Sequence, residues 1–321
     1  MPKRKRKKHR ATNHQGPSRV VIEQCPYRMT GAMEYPGVTV YPAQFETAGE
    51  ERFLGILPLC SDVTEVAAQP EKESYELDGI KHQYTSDARL RLTTSAHSSH
   101  VHVDEKSLAY LVMPDNLEKY LAIAQALRSR GDQLNFITHD QLKPVWCDNT
   151  HRLIRYLHQP VSADFEQQVI GALPQAREIG VLLAELNMSD MLAELYALIA
   201  QKKLCIDWDQ PLNRRALVSL PDQPFARMTY ERIRTSGRFA DLLAEMALGR
   251  RPSDQRLRAA ARARRWPLSG PSPLGFVGAL TPAQLGHFKR AMRAVTADSA
   301  YDPASGDRSS TREPSATEGG N

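Results

Sequence analysis

The sequence predicts an α/β fold: a mixed sheet flanked by helices, then three helices with two short strands, then a basic helical extension. Three observations carry this. Two runs of strand character meet at Asp78-Gly79, a strong tight-turn signal. Leu117, Tyr120, Leu121, Ala124 and Leu127 recur at helical spacing up to Gly131, and an apolar run over 134–138 follows, the helix-to-strand crossover of a mixed sheet. From Ser162 onward the strand signals give way to helical periodicity.

Taken in order, residues 1–40 read as a basic, extended lead rich in Pro and Gly. A first domain is expected over 41–160. Phe53, Leu54, Ile56 and Leu57 before Pro58 predict a short helix within 46–59. Strands are expected at 63–68, 73–77, 81–85 and 88–93; in the last, Leu90 and Leu92 alternate with Arg89 and Arg91. A Ser/His-rich turn with His97 and His100 leads into Val101-His102-Val103, which opens the strand that reaches Asp104-Glu105-Lys106. Such turns can bind zinc, but an exposed loop accounts for the three histidines.

Over 161–220 the spacing predicts helices at 164–173, 178–186 and 190–203, the last capped by Ser189, and strands at 204–208 and 216–220. Three helices and a two-stranded wing describe a winged-helix module. Its third helix carries Asp190 and Glu194 against Lys202 and Lys203, a balance that favours docking to protein over DNA. Residues 221–295 read as an Arg-rich helical extension, and 296–321 as a tail too polar to form a core.

Net charge is only +5, so basic charge matters by location. Lys3, Arg4, Lys5, Arg6, Lys7 and Lys8 form one cluster; between 227 and 265 eleven arginines face four acids. Arg250, Arg251, Arg262, Arg264 and Arg265, with Trp266 available to stack, are candidate contacts to a phosphate backbone. Cys25, Cys60, Cys147 and Cys205 form no CxxC pair, which argues against a zinc site or disulfide framework and fits a reducing compartment. The basic start has no apolar segment behind it, and no run of 18 apolar residues exists, so neither a secretory signal nor a membrane span is expected. There is no phosphate-binding glycine loop and no glycine-flanked serine elbow.

The chemistry lies in four spaced residues: Glu50, Asp87, Asp104 and Lys106. Asp87 and Asp104 can hold a hard divalent cation through oxygen. Lys106 follows Asp104 by two residues, so on a strand both leave the same face. Carboxylates and an ammonium on one surface are the groups that phosphodiester hydrolysis needs.

The order Glu50-Glu51-Arg52-Phe53-Leu54, Asp62-Val63, Gln69-Pro70, Asp78-Gly79, His82 and Tyr84-Thr85-Ser86-Asp87 resembles the TnsA-type endonucleases of heteromeric cut-and-paste transposons. Asn149 with 153–156, and the run Asp207-Trp208-Asp209-Gln210-Pro211-Leu212, extend the likeness, which covers roughly 41–220. The resemblance implies a restriction-endonuclease-like PD-(D/E)xK fold and a Mg²⁺-dependent (or Mn²⁺-dependent) endonuclease that cuts the 5′ ends of a transposon. Its implied partners are transposon-end DNA, a DDE-type transposase and an AAA+ ATPase regulator, in a bacterial cytoplasm at the nucleoid. Glu50, Asp87 and Lys106 then match the catalytic glutamate, aspartate and lysine, with Asp104 in the remaining acidic place. Asp87, Asp104 and Glu50 would be the metal ligands, together with the backbone carbonyl of Glu105.

Three residues depart from the pattern. Ser86 stands where proline is usual, and Gly49 replaces an apolar residue. Glu105 stands where valine is usual, at a position expected to face the sheet core, where an unpaired carboxylate is costly. Either the strand reaches its edge here, or its register slips so that His102-Val103-Asp104 fills the motif and the lysine is lost. In the second case the chain is a degenerate adaptor bridging transposase, ATPase and DNA.

Overall fold

A computed structural model describes residues 16–18, 30–93 and 99–263. Its central sheet has four strands, ordered β3 (Val63–Ala68), β6 (Ala88–Leu92), β7 (Val101–Glu105) and β8 (Gln133–Ile137). The first three are antiparallel neighbours, and β7 pairs with β8 in parallel, so the sheet is mixed. The hairpin β4 (Glu73–Leu77) and β5 (Ile80–Tyr84) turns at Asp78 and Gly79, both at positive φ, as that dipeptide favours.

Two short strands, β1 (Gly31–Met33) and β2 (Ala43–Phe45), pair antiparallel ahead of α1 (Ala48–Ile56). The lead expected to be extended and unstructured therefore ends earlier than read, at least from Gly31. The partner strand holds Ala43 and Phe45 in the core, and Thr39 bridges to Val66.

Period-two alternation sorts the sheet into two faces. One carries Leu90, Val101 and Val103 and packs with Phe53, Ile56 and Leu57 of the α1 region and with Trp146 and Leu153 of α4 (Pro144–Leu153). The other carries Leu134 and Phe136 and packs with Leu117, Tyr120 and Leu127 of α3 (Pro114–Arg128), with the short α2 (Leu108–Leu111) and with Tyr75 and Tyr84 of the hairpin. Helix α3 ends as its sequence signals, with Gly131 at φ +86° and the Asp132 amide donating to the Leu127 carbonyl.

The first apolar core continues into α5 (Ala163–Gly171), α6 (Ile179–Glu185) and α7 (Leu192–Ala200) through Phe165, Leu183 and Leu195. The strands here number three: β10 (Cys205–Ile206), β11 (Leu217–Ser219) and β9 (Arg177–Glu178), which pairs with β11. Ser189 does not cap α7; Met191 holds the N-cap position without a side-chain bond, because the chain makes one more turn before the helix begins.

After Pro221 come α8 (Tyr230–Arg234), α9 (Ala240–Ala247) and α10 (Asp254–Ala263). Leu242, Leu243 and Met246 of α9, with Ala260 of α10, join the second core against Leu134 and Phe136. This Arg-rich stretch thus buries an apolar stripe on the central sheet while its arginines stay at the surface. Among the described residues no helix is long and apolar enough to cross a membrane, and Cys60, Cys147 and Cys205 are buried free thiols. Cys25 lies outside the described residues.

Candidate active site

The carboxyl end of β7 is where the sequence-predicted acids meet. Its register is fixed by both neighbours: Val103 opposes Ala88 on β6, and Asp104 and Glu105 oppose Phe136 and Ile137 on β8. The strand ends at Glu105, and Lys106, just past it, reaches Asp87.

Asp87 lies in the short link between β5 and β6. Its Oδ2 accepts from the Lys106 ammonium at 2.6 Å and from the Glu105 amide at 2.9 Å. Lys106 Nζ also donates to the Glu105 carbonyl at 3.0 Å. One ammonium thus bridges the side-chain oxygen and the backbone oxygen that the sequence reading gave to a cation.

Asp104 takes a different place from the one expected. It is buried and faces Tyr84 and Tyr120, and its Oδ1 accepts from the Tyr84 hydroxyl at 2.8 Å and the Asp87 amide at 3.1 Å. It anchors the Asp87 link from behind, because residue 104 points to the α3 face while the cleft opens beside α1. Glu50 lies in the first turn of α1, whose N-cap Thr47 accepts from the Glu50 amide at 3.0 Å. The Glu50 carboxylate in turn accepts from the Glu46 amide at 2.7 Å. The Thr47-x-x-Glu50 spacing is a capping-box signature, readable in the sequence, that orients this buried acid.

A cleft of about 360 Å³ is lined by Glu50, Gln69, Asp87, Glu105, Lys106 and Tyr110, among others. Gln69, at φ +48°, is the site residue sequence reasoning passed over; its amide donates to the Asp87 carbonyl at 3.0 Å. A larger cavity, about 610 Å³, lies elsewhere, between β8 and the α8–α9 region, and none of the four predicted residues lines it.

The cleft holds more negative than positive charge. Burial first, then the Asp104 charge, pushes the Asp87 carboxyl up to about 8, against the pull of Lys106. Burial raises Glu50 and Glu105 as well. Burial works to lower Lys106, but the Asp104 and Asp87 carboxylates overcome it and hold its pKa above the usual lysine range. The 2.6 Å ion pair and the upward shift of Asp87 pull in opposite directions; the surplus of acids decides, and one ammonium does not balance them. Among the described residues no three His, Cys, Asp or Glu side chains stand together as a ready-made metal cage. The donor set nevertheless suits a hard divalent cation: the oxygens are carboxylate and carbonyl, and a positive group already sits between two of them.

The other predicted residues are dispersed. Arg250 and Arg262 are exposed, whereas Arg251 is ion-paired to Glu118. Lys3, Arg4, Lys5, Arg6, Lys7, Lys8, Arg264, Arg265, Trp266 and His97 lie outside the described residues. His102 is not in an exposed loop: it sits buried in β7, its Nδ1 3.1 Å from Ser86 Oγ, and burial lowers its pKa to about 4. Ser86, which departs from the proline of the resemblance, thus ties the Asp87 link to β7.

Compared with protein-family models and with curated proteins, the chain matches none.

Proposed function

We propose that this chain is a divalent-cation-dependent DNA endonuclease of the TnsA type, cutting the 5′ ends of a transposon alongside a DDE-type transposase and an AAA+ regulator in the bacterial cytoplasm. The observation that carries the reading is the Lys106 ammonium bonded to Asp87 Oδ2 at 2.6 Å, in a cleft that also receives Glu50 and Glu105. The mixed sheet with helices on both faces is compatible with the PD-(D/E)xK fold. Helices α5–α7 with the three-stranded β10–β11–β9 sheet support the winged-helix reading, and we assign that module to protein docking.

Asp87 and the Glu105 carbonyl would hold the cation, with Glu50 beside them. Asp104, bonded to Tyr84 and to the Asp87 amide, keeps Asp87 aimed into the cleft. The chemistry that Mg²⁺ or Mn²⁺ would supply there is polarisation of the phosphoryl oxygen and a more nucleophilic water at neutral pH. Lys106 gives up its bridge between Asp87 and Glu105, orients the attacking water and stabilises charge growing on the scissile phosphate. In-line attack leaves a 5′-phosphate and a 3′-hydroxyl. Exposed Arg250 and Arg262, with the basic amino-terminal residues, contact the DNA backbone.

One observation favours a second reading, the degenerate adaptor: among the described residues no three His, Cys, Asp or Glu side chains stand together to hold a metal. Supercoiled plasmid with cloned transposon ends, incubated with both partners, separates the two. Nicking that requires Mg²⁺ or Mn²⁺ and maps to the 5′ ends supports the nuclease. Complex assembly without any nicking by this chain supports the adaptor.

A further inference from the structure

We infer that Glu105 is a cation-facing carboxylate of the cleft, and that Gly49 is the residue that admits it. The inference rests on the proposed metal-dependent function and deepens it by one ligand-side group.

Strand alternation puts Glu105 with Val101 and Val103 on the α1 face, opposite Asp104. The two valines are buried in the core, but β7 ends at Glu105, so its side chain emerges beside α1 and lines the cleft with Glu50, Asp87 and Lys106. Its backbone is fully used: the amide donates to Asp87 Oδ2 and the carbonyl accepts from Lys106 Nζ. Its carboxylate has no hydrogen bond or ion pair among the described residues. It is half-buried, feels the charges of Lys106 and Arg52 without bonding to either, and shares the cleft with three further acids, Glu46, Glu50 and Asp87.

The second observation is independent of charge. A Cβ placed on Gly49 would stand 2.5 Å from Glu105 Cδ, 2.5 Å from Oε1 and 2.7 Å from Oε2. The carboxylate therefore lies against the bare backbone of the first turn of α1, in space that a Cβ at position 49 would take. A glycine in the first turn of a helix forgoes the helix propensity that alanine would supply. Here that glycine forms a cradle, and what the cradle holds is an unpaired acid aimed at the site. Hard divalent cations are the ligand class that such an oxygen donor serves.

The test is calorimetric titration of Mn²⁺ into the full chain, with thermal unfolding as a second readout. Glu105→Gln keeps the shape and removes the charge; Mn²⁺ affinity is expected to fall about tenfold or more, the size of effect seen when one supporting group at a metal site is lost. Gly49→Ala should displace the Glu105 carboxylate and lower Mn²⁺ affinity without lowering the melting temperature, because the atoms a new Cβ meets are the far end of a flexible side chain. The double variant Gly49→Ala/Glu105→Val should melt no lower than the parent and bind Mn²⁺ no more tightly than Glu105→Gln. Unchanged Mn²⁺ binding by Glu105→Gln, with binding lost in Asp87→Ala, would overturn the role of Glu105 and leave the nuclease reading standing. A Gly49→Ala protein that binds Mn²⁺ like the parent would overturn the cradle. No Mn²⁺ uptake by the parent chain would remove both this inference and the reading beneath it.

Discussion

Two aspartates in this molecule meet cations at close range, and their environments push them in opposite directions. Asp209 accepts from Lys143 at 2.8 Å, from the Trp146 indole at 3.0 Å and from Arg232 at 2.9 Å. The hydrogen bond from Lys143 is the main cause that holds its carboxyl below the usual range. Lys143 and Arg232 also stack against the Trp146 ring, 4.7 and 5.2 Å from its centroid, so the cluster ties α4, the 207–212 link and α8 together. Asn149 reinforces the tie by donating to the Gln210 carbonyl and accepting from the Leu212 amide. Asp87 has an equally short ion pair, yet its carboxyl is pushed up to about 8. The Asp209 side chain is 44 % exposed and answered by donors alone, whereas the Asp87 side chain is 13 % exposed and crowded by Asp104 and Glu50. An ion pair by itself therefore does not identify a site. The buried pair is the one whose acids a single ammonium does not balance.

The contrast can be broken or sharpened by mutation. Lys106→Met should have the largest effect among these variants: a loss of about 10²–10⁴-fold in plasmid nicking, the range for one positioned proton-handling group, with the fold retained by circular dichroism. A nicking rate within a fewfold of the parent would show that the cleft ammonium is only a structural partner. Asp209→Asn should leave the nicking rate per folded molecule unchanged and lower stability by about 1–2 kcal/mol in denaturant unfolding, since the amide keeps an oxygen for the buried indole but loses the half-exposed charge that answers two cations. The pH dependence of that contribution has a definite sign. Because the folded carboxyl is depressed, its stabilisation is complete above the ordinary aspartate pKa of about 4 and is lost as pH falls through the folded value. The difference in melting temperature between parent and Asp209→Asn should accordingly shrink on acidification. Thr47→Ala should do least, about 1 kcal/mol of stability from the lost cap on α1. It should also cost a small part of nicking, because Glu50 shares that turn.

Much of the fold was legible because its signals are local. The Asp78-Gly79 turn, the α3 periodicity and Gly131 each involve neighbours in the chain, and each is realised within a few residues of where the sequence placed it. The short strands β1 and β9 were not legible, since two or three residues show no alternation and their partners alone make them strands. The α9 stripe of Leu242, Leu243 and Met246 was masked by the surrounding arginines, whose composition suggested a solvated surface. At the cleft, Asp87, Lys106 and Glu50 were found through their order along the chain. The backing role of Asp104 was not, because it depends on which face of β7 meets Tyr84. The place of Glu105 needed Gly49, some 56 positions earlier in the chain, and no local pattern links the two.

The central claim is that Asp87 holds the ion on which strand cleavage depends. Its most direct test is nicking of transposon-end plasmid by the parent and by Asp87→Ala, each with both partners, in Mg²⁺, in Mn²⁺ and in EDTA. The account predicts 5′-end nicks only for the parent with a divalent ion, while Asp87→Ala stays folded and still joins the complex. Cleavage by Asp87→Ala at the parent rate would contradict it.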